Sequence, residues 1–179
     1  MQRYYAGLTV IEVLTVMSII ALLSLFAVPS WQYLHTQLRF HLEQWSLQQF
    51  LLQVQQRVNN SDSNWGLYAS VSNDRQKWCL IAQIAKEKSA DLCDCLRLSS
   101  CSQDTKLVYF PQSTAKIRLI TKQYYPQAIT FFNHTRHTMR NACFLLQSDH
   151  KQLVFKYSGV GGVKIDEQSS TSACLQYQS

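Results

Sequence analysis

Apolar residues are unevenly spread along this chain. From Leu8 to Val28 nearly every position is apolar or small, and beyond that block the chain is polar with short apolar runs. At a rise of ~1.5 Å per residue the block spans about 30 Å, the thickness of a bilayer core, so it is long enough to cross a membrane. Pro29 follows it. Proline cannot donate to Leu25 and its ring crowds that turn, so the helix is expected to kink or loosen there without ending. Trp31, Leu34, Leu38, Leu42 and Trp45 then recur at steps of three and four, which is one face of a helix. Leu47, Leu51, Val54 and Val58 read as a continuation of that stripe after a small rotation. Asn59-Asn60-Ser61-Asp62-Ser63-Asn64 stops the helix with turn formers. The pattern predicts one long helix to about Val58. Its first half belongs in a membrane or in the core of an assembly, and its second half presents one stripe to a folded domain. The stripe is too short for a sustained heptad, so packing on a sheet is favoured over a coiled coil.

After Trp65 the apolar runs shorten and alternate. Trp65–Val71, Trp78–Ile84, Leu107–Phe110, Lys116–Ile120, Ala128–Phe132, Ala142–Leu146, Leu153–Tyr157 and Ala173–Tyr177 are expected strands. Leu153, Phe155 and Tyr157 would share one face, with Val154 and Lys156 opposite. Ile117 and Leu119 would point inward, with Lys116 and Arg118 outward. Short loops between runs argue for antiparallel sheets. The stretch 86–98 reads either as a helical turn or as a loop. The expected class is therefore α+β, a long N-terminal helix packed on an antiparallel β-sheet domain. The expected organisation is a leader over 1–7, an apolar helix over 8–30, its amphipathic continuation over 31–58 and a β-rich domain over 65–179.

Composition refines this picture in two ways. Net charge is +6, and the excess is local: between Lys116 and Lys164 eight Lys or Arg face one acid, Asp149. The six cysteines, Cys79, Cys93, Cys95, Cys101, Cys143 and Cys174, all follow the apolar block. An even number in a domain outside the cytoplasm points to disulfides. Zinc is the rival reading. Cys93-x-Cys95 is not the spacing of a zinc knuckle, and no His lies near the cluster in sequence, so no metal site is expected. Pairing is not legible from sequence. Cys143 with Cys174 is the expected long bridge, stabilising by roughly 3–4 kcal/mol. The other four would staple the stretch 79–101, with Cys93 and Cys95 too close in sequence to pair with each other.

The acid Glu12 discriminates between readings of the N-terminal block. A cleaved secretory signal needs small residues at its cut, and Leu25 stands where one is required if the cut follows Ala27. A plain membrane anchor has no use for a carboxylate one turn into its apolar run. Gly7-Leu8-Thr9-Val10-Ile11-Glu12 resembles the type III signal sequence of type IV pilins and type II secretion pseudopilins. In that family a prepilin peptidase cuts after the glycine and methylates the new N-terminus. The resemblance implies a cut between Gly7 and Leu8, N-methylation of Leu8, and Glu12 as the glutamate at the fifth mature position. Pro29 matches the proline that often breaks the membrane helix. The family usually has Phe where Leu8 stands, and a leader more basic than one holding the single Arg3. The glycine-bearing turn after a strand, Ser158 to Val163, faintly resembles pseudopilins of the GspH and FimT type. The strong resemblance covers about the first thirty residues.

The resemblance implies a minor pilin or pseudopilin. Its N-terminus would lie in the cytoplasm, its single helix in the inner membrane and its domain in the periplasm. Its partners would be prepilin peptidase, other pilins or pseudopilins and inner-membrane lipid. In a filament, the amine that cleavage creates at Leu8 of one subunit would pair with Glu12 of its neighbour, since a buried charge is tolerable when paired.

No catalytic constellation is present. His134 and His137 sit just after an expected strand without an acid partner. Gly159-Val160-Gly161-Gly162 is not followed by a helix signal and makes a poor phosphate cradle. The chain reads as non-enzymatic and without a cofactor. Lys116, Arg118, Lys122, Arg136, Arg140, Lys151 and Lys156, with Tyr124, Tyr125 and His137 nearby, are candidate DNA contacts, because cations meet phosphates and aromatics stack on bases. The alternatives are thus a membrane-anchored DNA receptor serving uptake, and a single-span periplasmic protein unrelated to pili.

Overall fold

The structure is a computed structural model. It describes residues 9–74, 76–85, 92–101, 106–112, 117–121, 128–132, 142–149, 151–157 and 163–166. Helix α1 covers Val10–Asn59, 50 residues. Its backbone passes through position 29 without ending. Among the described residues no helix is long and apolar enough to cross a membrane. The helix ends where expected turn formers begin: Asn60 N–H donates to Gln56 O and Ser61 N–H to Val58 O, both at 3.1 Å.

The chain divides into two compact units, Met1–Arg39 and Phe40–Ser179. In the second unit eight strands follow the helix among the described residues: β1 Trp65–Val71, β2 Trp78–Ile84, β3 Lys106–Tyr109, β4 Arg118–Thr121, β5 Ala128–Phe132, β6 Ala142–Gln147, β7 Gln152–Tyr157 and β8 Val163–Asp166. They form two four-stranded sheets, ordered β3-β2-β1-β5 and β4-β6-β7-β8. Every described pairing is antiparallel, so the α+β class with antiparallel sheets holds. The first sheet's β1 and β2 are buried along almost their whole length. The inner faces of both sheets and one face of α1 make a single core: Phe40, Leu47, Phe50, Leu51, Val54 and Val58 meet Trp65, Leu67, Leu80, Leu119, Phe144 and Phe155. Trp78 Nε1 donates to Ile117 O at 2.9 Å, joining the first sheet to the chain entering β4.

The expected strands need some adjustment. Ile117 is buried but precedes β4, which starts at Arg118. Val154 does lie opposite Leu153 and Phe155, yet it is buried too, against Leu145. Strand β8 was not anticipated, because Val-Lys-Ile-Asp is short and follows glycines. The expected strand Ala173–Tyr177 lies outside the described residues.

The larger correction concerns the helix. Trp31, Leu34, Leu38, Leu42 and Trp45 are all exposed, Trp31 by 70% and Trp45 by 63%, and within the second unit Leu42 and Trp45 pack on neither sheet. From Trp45 to Leu47 the helix turns through roughly 200° at 3.6 residues per turn. Leu47, Leu51, Val54 and Val58 therefore belong to the opposite face and do not continue the first stripe. The true buried stripe starts at Phe40 and Glu43.

The outer face of the first sheet carries a smaller apolar cluster: Tyr68, Cys79, Ile81 and Ala128, packed with Cys93, Cys95, Leu92, Leu96 and Phe131. Gly66 is needed there. A Cβ at that position would lie 2.6 Å from the buried Tyr68 ring. The covering segment holds a short 3-10 helix, Cys95–Ser100, capped by Asp94, whose carboxylate accepts Leu96 N–H at 2.9 Å. Disulfides Cys79–Cys95 and Cys93–Cys101 fasten it to β2 and to itself. Cys143 is disulfide-bonded as well; Cys174, its expected partner, lies outside the described residues.

The two helix faces make a direct test. Leu51→Ala, on the fully buried face, should lower unfolding free energy by about 2–5 kcal/mol. Leu52→Ala, one residue on and exposed, should change it by less than about 0.5 kcal/mol in the same urea titration.

Candidate functional site

The first described turn of α1 contains Glu12, which is exposed. Glu12 N–H and Val13 N–H both donate to Thr9 O, at 3.1 and 3.3 Å. An acid in a first helical turn is favoured by the helix dipole. Three hydroxyls of the apolar block bond locally: Thr15 donates to Glu12 O, Ser18 to Thr15 O and Ser24 to Ile20 O, at 2.8–2.9 Å. That leaves the Glu12 carboxylate as the strongly polar group of the block. Around it Val10, Ile11, Leu14, Met17, Ile20 and Leu23 are all exposed. A helix apolar on every side requires apolar surroundings.

Farther along, Trp31, Leu38, Trp45 and Leu52 stand seven residues apart and are all exposed. Leu34 and Leu42 flank them. A repeat of seven keeps side chains on one narrow seam of a helix. Within the second unit, Trp45 and Leu52 lie away from the buried stripe over 40–58.

Sequence reasoning missed a polar cluster inside that buried stripe. Glu43 is 1% exposed. One of its carboxylate oxygens, Oε1, accepts a short hydrogen bond from the Tyr109 hydroxyl. The other, Oε2, accepts Gln112 N–H at 3.0 Å. Burial, and then the bond to Glu43, push the Tyr109 phenol well above its ordinary range, while Ser46 pulls slightly the other way. The visible signal was an acid in register with Phe40, Leu47 and Phe50, a position where an exposed acid would not fall. Burial alone pushes Tyr157 up as well, and its hydroxyl has no hydrogen-bond partner among the described residues.

The other expected site residues scatter. Gly7, Leu8, Lys116, Lys122, Arg136 and Arg140 lie outside the described residues, as do His134, His137 and the glycines at 159–162. Nothing is described of the Pro29 side chain. On the β4-β6-β7-β8 sheet, Arg118 is exposed and pairs with Gln147, while Lys156 pairs with Cys143 and Lys164. Those positions are four residues apart on β6, about 13 Å along the strand. Lys156 Nζ forms an ion pair with Asp166 at 2.9 Å, and Lys151 Nζ lies 3.2 Å from His41 Nε2. The described cations are thus spread over the sheet and partly engaged. Among the described residues no group of His, Cys, Asp or Glu is placed to hold a metal ion. An open groove of about 380 Å³ is lined by Lys77, Trp78, Cys95, Leu96, Leu98, Phe110 and Pro111.

Fold and site together define an α+β protein whose helix has one face in its own core and another left bare. The chain is 32% identical over 169 residues to an uncharacterized protein of Haemophilus influenzae, covering 94% of this chain and 98% of the relative. It belongs to that protein's family. No family model matches the chain, and no solved structure matches it.

Alkaline titration separates the two buried tyrosines. Both have phenol pKa values raised by folding, so the unfolded chain releases those protons near pH ~10 while the folded chain keeps them. Stability is therefore unaffected well below that pH and falls as pH rises through it. Tyr157→Phe should be neutral or stabilising near neutral pH and should reduce the alkaline loss. Tyr109→Phe takes a donor from Glu43 and should cost about 1–3 kcal/mol at neutral pH. Urea midpoints of both variants across the alkaline range check this.

Proposed function

We propose that this protein is a minor pilin or pseudopilin, anchored in the bacterial inner membrane by α1 with its domain in the periplasm. Prepilin peptidase cuts between Gly7 and Leu8 and methylates Leu8, and the subunit then joins a type IV pilus or type II secretion pseudopilus. The observation that carries this reading is the bare apolar surface of α1, from Val10 to Leu25 and along the seam Trp31, Leu38, Trp45 and Leu52. Fully burying a side chain such as Leu or Ile stabilises by about 1.5–3 kcal/mol. Leaving so many exposed is therefore stable only when lipid or neighbouring helices cover them. Glu12 adds selectivity: in that apolar setting its carboxylate needs a cation, and the new amine on an adjoining Leu8 supplies one.

Intact-mass analysis of protein from cells should give the chain beginning at methylated Leu8; a retained leader removes the reading. Glu12→Ala should abolish incorporation into filaments while leaving the domain folded, and unchanged incorporation would count against it. A role in DNA uptake, or as a membrane-anchored DNA receptor, draws only on the basic stretch 116–164. Charge reversal by Arg136→Glu with Arg140→Glu should weaken DNA binding by the full-length protein at low salt, and unaltered binding eliminates that role.

A further inference from the structure

Two disulfides with overlapping loops, Cys79–Cys95 and Cys93–Cys101, sit on the outer face of the β3-β2-β1-β5 sheet. Their surroundings differ. Cys79 and Cys95 are buried. Cys93 is 7% exposed, whereas Cys101 is only half-buried. Lys106 Nζ lies 4.0 Å from Cys93 Sγ. Lys106 pairs across the sheet with Gln83, and Gln83 Oε1 accepts Cys93 N–H at 3.1 Å. The Nε2 of that same carboxamide is buried with no hydrogen-bond partner among the described residues. On the other side of the bridge, Cys101 Sγ is 3.7 Å from each of the carbonyl oxygens of Asp94 and Arg97. Negative charge is thus favoured at Cys93 by an ammonium and disfavoured at Cys101 by two carbonyl oxygens. Access runs the opposite way, toward Cys101. In thiol–disulfide exchange the accessible sulfur is attacked and the sulfur that better carries charge departs.

We infer that Cys93–Cys101 is an exchange site for an external thiol, entered at Cys101. The incoming thiol loses its proton to water, and its thiolate bonds to Cys101 Sγ as the Cys93–Cys101 bond breaks. The electron pair of that bond leaves on Cys93, as a thiolate beside Lys106. One disulfide replaces another, with no net oxidation. A dithiol carries the sequence further. Its second thiolate attacks its own sulfur in the mixed disulfide, Cys101 departs and takes a proton, the dithiol is oxidised and the Cys93–Cys101 pair is reduced. The Cys79–Cys95 bridge then remains as the tie between β2 and the segment that covers Tyr68 and Ile81. Leu96 and Leu98, which wall the open groove, belong to that segment. This chemistry does not rest on the assembly reading.

The test uses full-length protein with reduced glutathione, samples trapped by iodoacetamide, and mass mapping of peptides. Glutathione should appear on Cys101 and the alkyl group on Cys93, with Cys79–Cys95 intact. Lys106→Gln should slow the step by about three-fold or more, and Lys106→Arg should restore it. A parallel arm with a purified dithiol oxidoreductase distinguishes the thiol's source: both Cys93 and Cys101 become alkylated if a protein dithiol serves, and only the glutathione arm reacts if a small thiol does. Glutathione on Cys93, earlier opening of Cys79–Cys95, failure of both thiols to react, or an unchanged rate in Lys106→Gln with native circular dichroism would overturn the inference.

Discussion

A carboxylate buried in a helix–sheet interface must be met by donors, and Glu43 is where this chain meets that demand. Its two oxygens take the Tyr109 hydroxyl and the Gln112 N–H, so the end of β3 is fixed opposite one turn of α1. An apolar stripe alone tolerates sliding, because one leucine fits much like the next. A hydrogen-bonded acid does not. The same tyrosine packs on Phe50 with ring centroids 5.3 Å apart and on Trp78 at 6.0 Å. Trp78 in turn donates to Ile117 O ahead of β4. A continuous set of contacts therefore runs from helix to first sheet to second sheet.

Anchoring one face of α1 has a consequence for the other. Leu42, Trp45 and Leu52 stay bare because the sheets use the opposite side of the helix over 40–58. The outer face of the first sheet has a different solution. There, among the described residues, a disulfide-tied segment with a short 3-10 helix supplies the cover. Small sheets without enough core commonly rely on such staples.

Much of the domain was legible in the sequence for a simple reason. Strands with both faces covered, such as β1 and β2, read as unbroken apolar runs bounded by polar turns, and their ends fall at Trp65, Val71, Trp78 and Ile84 as the pattern indicates. The cysteines between 79 and 101 could be grouped, because closely spaced cysteines can reach few partners. Helix faces were less legible. Two apolar stripes on one helix, offset by about half a turn, merge in sequence into a single periodic signal. Only burial separates them, which is how Trp45 and Leu47 came to be read together. Glu43 escaped notice because an acid in a helix is usually on the solvent side. Strand β8 escaped notice because it is an edge strand of four residues with alternating charge.

The two acids of α1 sharpen the functional argument. Glu43 is buried, and its hydrogen-bond donors come from the chain's own β3 end. Glu12 is exposed amid apolar side chains that are themselves exposed. In water an exposed carboxylate such as Glu12 carries no burial cost; in the proposed membrane or filament setting it would. If lipid or other helices surround Val10 to Leu25, as proposed, Glu12 needs a partner as Glu43 does, and that partner would come from outside this helix. One acid is thus met within the domain, while the other would find its partner on a neighbour only in the proposed assembly. This is why the assembly reading is preferred to that of a solitary anchored domain, in which Glu12 would have only a cost.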